Sequence, residues 1–513
     1  MRRAGILLLF AFILSACGAG GGGTSTTPAG TPKTGGILKI AQETEINTLD
    51  PNTSGLLVER EIYYNLYDSL LGIDAKLNFV PELATTWKYT DDKTLVLTLR
   101  KDVKFQDGTA FNAEAVKFNL DRYMTSTDPG AARKSDLASV QSVEVQDPST
   151  VVVHLKRGDA TLLAAFVDRA GMMLSPTAVQ QLGVKLAQTP VAAGSGPFEF
   201  VEWKRDDHLT LKRNPDYWRK DKAGRQLPYL DQLIYRPMTD QNAILASLKT
   251  GDVDMARSVA GKDVDAVRSD STLLYKDTPG LGYQGFELNS SAPPFNDPAK
   301  AKAVALAIDR AQILKNVVFN NGVLSYGPIP PASWASDPSE KIYDKPDPEK
   351  AKATATGFSF TLKTGNIQDN IQEGQLIQSQ LAKAGITVTL QPEEFAKLTL
   401  ETRVQHQFEA ALTGWSGRID PDGNMYAFWH TGGSFNDGRY SNPQVDQLLE
   451  QARTTTDQAK RKQFYQEAQR IIAGSAVYVF THHPNVAQIS TKHVQNFTLI
   501  PDGINRLAEV WKS

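Results

Sequence analysis

Residues 81–122 read PELATTWKYTDDKTLVLTLRKDVKFQDGTAFNAEAVKFNLDR, and two periodicities succeed each other within them. From Thr94 the run TLVLTLR alternates, with Leu95, Leu97 and Leu99 on one face, which is the period of a half-buried strand. After the polar turn KFQDGTAFN the period lengthens. Val116, Leu120 and Tyr123 recur at helical spacing, and Asn112 stands where a side chain can cap the first turn.

The alternation of strand and helix continues in both directions. Upstream, GGILKIAQ (35–42) reads as a strand and TLDPNTSG (48–55) as a turn-rich loop. Downstream, STVVVHLK (149–156) is another strand, and GSGPFEFVEW (194–203) with HLTLKRN (208–214) makes a hairpin. The second half is richer in helix. Asp297-Pro298 caps one helix over AKAKAVALAIDRAQIL (299–314), and Asn442-Pro443 repeats the device before QVDQLLEQAR. Residues 457–473 form a long amphipathic helix that turns Phe464, Ala468, Ile471 and Ile472 inward, and YVFTHH (478–483) returns to strand. No internal repeat interrupts this order, which argues for α/β domains.

The chain has 513 residues, too many for a single core, so two or three domains are expected. Its composition, 41% hydrophobic and 22% charged, is ordinary for a globular protein. A formal charge of -2 leaves no basic footprint for a nucleic-acid partner. The stock of 21 Phe, 16 Tyr and 7 Trp is mostly core material, with some left to line a cleft.

The first residues, MRRAGILLLFAFILSAC, combine Arg2 and Arg3 with an apolar run from Ile6 to Leu14 that is too short to span a bilayer. This is a secretory leader over 1–16. Leu14-Ser15-Ala16-Cys17 resembles the bacterial lipoprotein signal, in which the cysteine is lipidated and becomes the mature N-terminus. Cys17 is the only cysteine and so makes no intramolecular disulfide. Without 1–16 the chain loses two arginines and keeps 53 basic against 57 acidic side chains, a formal -4. Residues 17–34, almost entirely Gly, Ser, Thr and Pro after Cys17, behave as a flexible leash. The membrane is therefore reached through the lipid anchor alone, on its extracytoplasmic side.

One further stretch concentrates chemistry. LTGWSGRIDPDGNMY (412–426) combines flexible Gly414, Gly417 and Gly423 with Trp415, Arg418, Asp420 and Asp422. It is neither an active site nor a metal loop by pattern. GWSGR lacks the second glycine of G-x-S-x-G, because Arg418 stands there, and no H-E-x-x-H occurs. A calcium loop from Asp420 would need Gly and Glu where Met425 and Thr431 stand. His482-His483 is the one adjacent histidine pair, without ligand spacing around it. No cofactor, metal or catalytic residue is expected.

Taken together, the block at 81–122, GSGPFEFVEW with LKRNPDYW (211–218), FELNSSAPPFNDPAKAKAVALAIDR (286–310) and YSNPQVDQLLEQAR (440–453) resemble, in order, the extracytoplasmic solute-binding proteins of ABC importers, family 5, the oligopeptide, dipeptide and nickel class. The resemblance spans Gly36 to Trp511. It implies an α/β, bilobal, periplasmic-binding-protein-like clamp. Lobe I would comprise 35–58, 190–284 and 484–513, an extra domain 59–189 would sit on it, and 285–483 would form lobe II. It also implies a monomer that hands a solute to ABC permease transmembrane subunits.

The resemblance places ligand contacts at Ser54, Gly55 and Leu56, at Arg403, and at Trp415, Gly417, Arg418, Asp420 and Asp422. In peptide-binding members an aspartate three residues after the tryptophan meets the ligand's ammonium, and here that position is Arg418. The reversed sign suits an acidic ligand, because a guanidinium forks onto carboxylate or phosphate. Two readings of Arg418 stand side by side: ligand contact, or an ion pair inside the loop with Asp420 or Asp422. Peptide-like solutes lead. An acidic opine-like conjugate or an oligosaccharide is the alternative, and an exported hydrolase on the same fold is the rival of a different class.

Overall fold

The strand Tyr478–Thr491 organises the molecule. In the computed structural model, which describes residues 30–513 apart from 129, 130 and 132, this strand belongs to two half-sheets at once. Its first residues pair with Tyr283–Leu288 and Gly322–Leu324, and its later ones with Leu273–Pro279 and Met255–Ala256. The ladder changes partner between His482 and Asn485, where the amide of Gly280 donates to the carbonyl of Pro484 at 2.9 Å. The sequence reading ends this strand at His483. Pro484 interrupts the alternating pattern without ending the strand, because its carbonyl still takes a cross-strand bond.

On one side of this crossing, Ile37–Gln42 lies parallel to Gln232–Pro237, and the hairpin Phe198–Lys204 with His208–Arg213 extends the sheet antiparallel. Leu38, Ile40, Ile62, Tyr63, Phe198 and Leu233 are all fully buried in the core beneath it. On the other side, Ser359–Gly365 runs parallel to Thr387–Glu393 and to Ala410–Trp415. Two cores serve this lobe, one around Phe286, Val304 and Leu362, the other around Met425, Trp429, Tyr465 and Ile472. The mixed α/β clamp expected from the sequence is therefore present.

The third body contains the opening stretch. Ala84–Asp91, Thr94–Leu99, Thr150–Leu155 and Val140–Asp147 form a four-stranded antiparallel sheet. Leu95, Leu97 and Leu99 face inward against Val116, Leu120 and Tyr123 of the helix Ala113–Thr125. The Asn112 side chain caps that helix by accepting from the amide of Ala115 at 3.0 Å.

Two local expectations change. The helix opened by Asp297-Pro298 ends at Ala307, and a second, Arg310–Asn316, begins behind a new cap, Asp309. Gln380 grips the Asp309 peptide, its side chain accepting the amide at 2.9 Å and donating to the carbonyl at 3.2 Å, so the chain breaks there. In the helix Gln458–Ser475, Ala468 and Ile472 are fully buried, whereas Phe464 and Ile471 are only partly covered; Tyr465 takes the central place instead. The readings for residues 1–29, including Cys17 and the leader, lie outside the described residues. No described helix is long and apolar enough to cross a membrane.

Candidate functional site: a charged cleft

A cavity of about 640 Å³ opens where the three bodies meet, within the size range of small-molecule sites. Arg60 and Tyr64, on the helix Leu57–Leu66, form one wall. Arg133, Asp136, Asp159, Asp168 and Arg169 come from the body around the four-stranded sheet. Trp415, Arg418, Asp420, Asp422, Tyr426, Phe435 and Arg453 come from the opposite lobe. The two sides touch beside the cavity, where the amide of Ala160 donates to the carbonyl of Arg453 at 2.9 Å and Ile419 packs on the core of the four-stranded body.

The strand Ala410–Trp415 delivers its last residue to the cavity rim, and the helix Asp422–Trp429 returns from it. Asn424 holds the loop between them. Its Oδ1 accepts from Trp415 Nε1 at 3.1 Å and from the Arg418 amide at 2.8 Å, and its Nδ2 donates to the carbonyl of Leu281 at 3.1 Å. Gly417 has φ +84°, and a Cβ there would stand 2.1 Å from the carbonyl carbon of Leu281, so the position needs glycine twice over. Gly417 thus shapes the loop from behind.

Asp420 and Asp422 are both 5% exposed and both engaged. Arg461 forks onto Asp420 at 2.8 and 3.0 Å, and Arg453 onto Asp422 at 2.6 and 3.2 Å. The loop-internal pairing of Arg418 with either aspartate does not occur, because arginines from the helices Pro443–Thr454 and Gln458–Ser475 have taken both carboxylates. The Arg418 guanidinium lies 4.4 Å over the Trp415 ring and donates to the carbonyl of Gly417 at 2.7 Å. Among the described residues no carboxylate forms an ion pair with it. Burial, and then repulsion from Arg60, push its pKa down to about 10.

The neighbours of Arg418 add to this positive field. Arg60 grips Asp168 at 3.0 and 3.1 Å, and Arg169 approaches the same carboxylate at 3.5 Å. Burial pushes Asp168 up, but Arg60, Arg169, Arg418 and Arg133 outweigh it and hold the carboxyl well below the usual range. Arg133 pairs with Asp136 at 2.6 Å.

Ser54, Gly55 and Leu56 stand behind these arginines. Arg169 donates to the Ser54 carbonyl and hydroxyl at 3.3 and 3.0 Å. Glu59 Oε2 accepts from the Ser54 hydroxyl and from the amides of Gly55 and Leu56 at 2.7, 3.1 and 3.0 Å. The donors of this loop therefore serve Glu59, and the loop's place is to hold Arg169. Arg403 lies off the main cavity, against Asp437 at 3.5 Å and 4.4 Å over the ring of Phe435, which does line the cavity. Sequence reading missed Arg60, Arg133, Asp159, Asp168, Arg169 and Arg453. They sit on unrelated segments, and no local pattern distinguishes them from surface charge.

The comparisons with known proteins agree with this architecture. The model for "Bacterial extracellular solute-binding proteins, family 5 Middle" matches residues 78–436, and the chain belongs to that family. A glutathione-binding protein, GsiB, of Pectobacterium atrosepticum is 29% identical over 481 residues, covering 90% of this chain and 91% of the relative. Among solved structures, the periplasmic binding protein DppA of Helicobacter pylori in complex with the peptide STSA superposes with a TM-score of 0.80 at 25% identity, covering 94% of this chain and 98% of its own. The oligopeptide-binding protein AppA of Bacillus subtilis in complex with a nonapeptide gives 0.79 at 26%, covering 94% and 100%.

Proposed function

We propose that the chain is the extracytoplasmic solute-binding subunit of an ABC importer, and that its cargo is a short peptide-like solute carrying net negative charge. The lobes, 35–58 with 190–284 and 484–513 on one side and 285–483 on the other, close on the solute, and 59–189 supplies part of its wall. The loaded clamp is then presented to the permease, and Cys17 tethers it to the membrane through lipid. Family membership supports the solute-binding role, and relatives named for glutathione and peptides support the ligand class.

One observation carries the anionic character. Arg418 is a half-buried guanidinium lining the cleft, with no carboxylate of its own among the described residues, and partial removal of an unpaired charge from water is costly until a counter-ion arrives. Trp415 orients it, Asp420 and Asp422 shape the wall, and Arg403 steadies Phe435 beside it. Mass spectrometry of solute released from freshly purified protein identifies the cargo and separates a peptide from an opine-like conjugate or an oligosaccharide. Arg418→Asp should weaken an anionic solute by about a hundredfold or more, since it replaces an attractive charge with a repulsive one. Unchanged affinity would assign Arg418 a purely structural place. Recovery of the solute intact after incubation speaks for binding, and its cleavage for a hydrolase.

A further inference from the structure

The charges around the cavity fall into two electrostatic sets. Arg418 interacts with Arg60, Arg169, Asp136 and Asp168. Asp422 interacts instead with Arg453, Asp420 and Asp159. In the first set cations are in surplus, and Arg418 is the member without an ion pair. In the second set the member without one is an anion, Asp159.

Asp159 is 7% exposed and lines the cavity on the wall opposite Arg418's lobe. Its Oδ1 accepts from the amide and the hydroxyl of Thr161 at 2.8 and 2.6 Å. Its Oδ2 takes no hydrogen bond, and the carboxylate no ion pair, from the described residues. Arg453 exerts its attraction from beyond ion-pair range, with its own Nε and Nη2 committed to Asp422. A cavity-lining carboxylate with one oxygen left free is the counterpart of the half-buried Arg418 guanidinium, which has no anion among the described residues.

We propose that the cleft is a dipolar receptor, in which a primary ammonium of the solute is held by Asp159 while a carboxylate of the same solute meets Arg418. The substrate class narrows to acidic peptide-like molecules with a free amine. Because the two groups belong to opposite lobes, the solute's own charges bridge the clamp. This rests on the anionic-solute reading above and adds a specificity residue, Asp159, on the other wall.

Isothermal titration with acidic di- and tripeptides, reduced glutathione among them, tests it. Each peptide is offered free, N-acetylated and with its carboxylates amidated. The wild type should bind a free form and lose about tenfold or more in affinity on acetylation of the amine. Asp159→Asn keeps an oxygen for Thr161 and should abolish the difference between free and acetylated forms, while the preference for carboxylate over amide persists. Arg418→Gln should do the reverse. Equal binding of free and acetylated peptide by the wild type would overturn the inference, and so would equal weakening of both by Asp159→Asn, which would leave Asp159 as a turn residue. A carboxylate preference that survives Arg418→Gln defeats the anionic reading whatever Asp159 does, and binding of no free acidic peptide at all defeats both.

Discussion

Asp420 and Arg461 form a bidentate pair with side chains 6% and 7% exposed, and the Tyr465 hydroxyl accepts from Arg461 at 3.1 Å. A buried pair of this kind is a poor source of net stability but costly to break, because either partner alone is an unsolvated charge. Arg461→Ala should therefore lower unfolding stability by about 3–5 kcal/mol in urea titrations. Asp420→Asn combined with Arg461→Met should cost clearly less, since no charge is stranded. If the double variant proved the less stable, the pair would contribute more than the avoidance of an orphan. Arg418 differs in having no such partner among the described residues, and that difference, not its residue type, is what the proposal of a ligand contact rests on. Adjacent charges in the sequence looked equivalent; long-range partners distinguish them.

The strand Tyr478–Thr491 carries His482 and His483 at the point where the ladder changes lobes. Burial pushes both imidazoles down to about 4, His482 further by its neighbour's charge, while His483 keeps a ring bond to the carbonyl of Gly282 at 2.7 Å. The sign follows from linkage. The unfolded chain takes up protons near 6.5 and the folded strand only near 4, so the stability is full above 6.5 and is lost as pH falls toward 4. Glu61 and Glu287, raised by burial to about 8, act in the opposite sense, losing stability as pH rises from 4.5 toward 8. A comparison between variants isolates the histidine. His483→Asn retains a donor for Gly282, and between pH 7 and 4.5 it should lose about 2 kcal/mol less stability than the wild type. Parallel pH profiles for the two proteins would contradict this. At this scale the helix caps at Asn112, Asp297 and Asn442 were legible in the sequence because capping is local. The break at Asp309 was not, because Gln380 arrives from elsewhere in the chain.

At the scale of the whole molecule, two backbones meet beside the cleft, and the proposed closure would bring them together. A Cβ on Gly158 would stand 2.8 Å from the Thr454 carbonyl oxygen, next to the Ala160–Arg453 hydrogen bond. Gly158→Ala should therefore shift the clamp toward its open form. The expected result is a several-fold weaker solute affinity and a larger radius of gyration in small-angle scattering with solute present, while the melting temperature of the free protein moves little. Equal affinity and equal scattering would show that this contact does not govern closure.

Several strands and capped helices, the α/β class and the membership of a solute-binding family were legible in the chain, because periodicity, caps and ordered motifs are written along it. So was the position of Arg418 in a loop rich in glycine and charge. Its surroundings were decided only by the tertiary structure. Arginines from two distant helices claim Asp420 and Asp422, Glu59 claims the amides of Gly55 and Leu56, and Asp159 approaches from another body. An ion pair depends on distance and burial, and sequence spacing sets neither for residues that meet from separate elements.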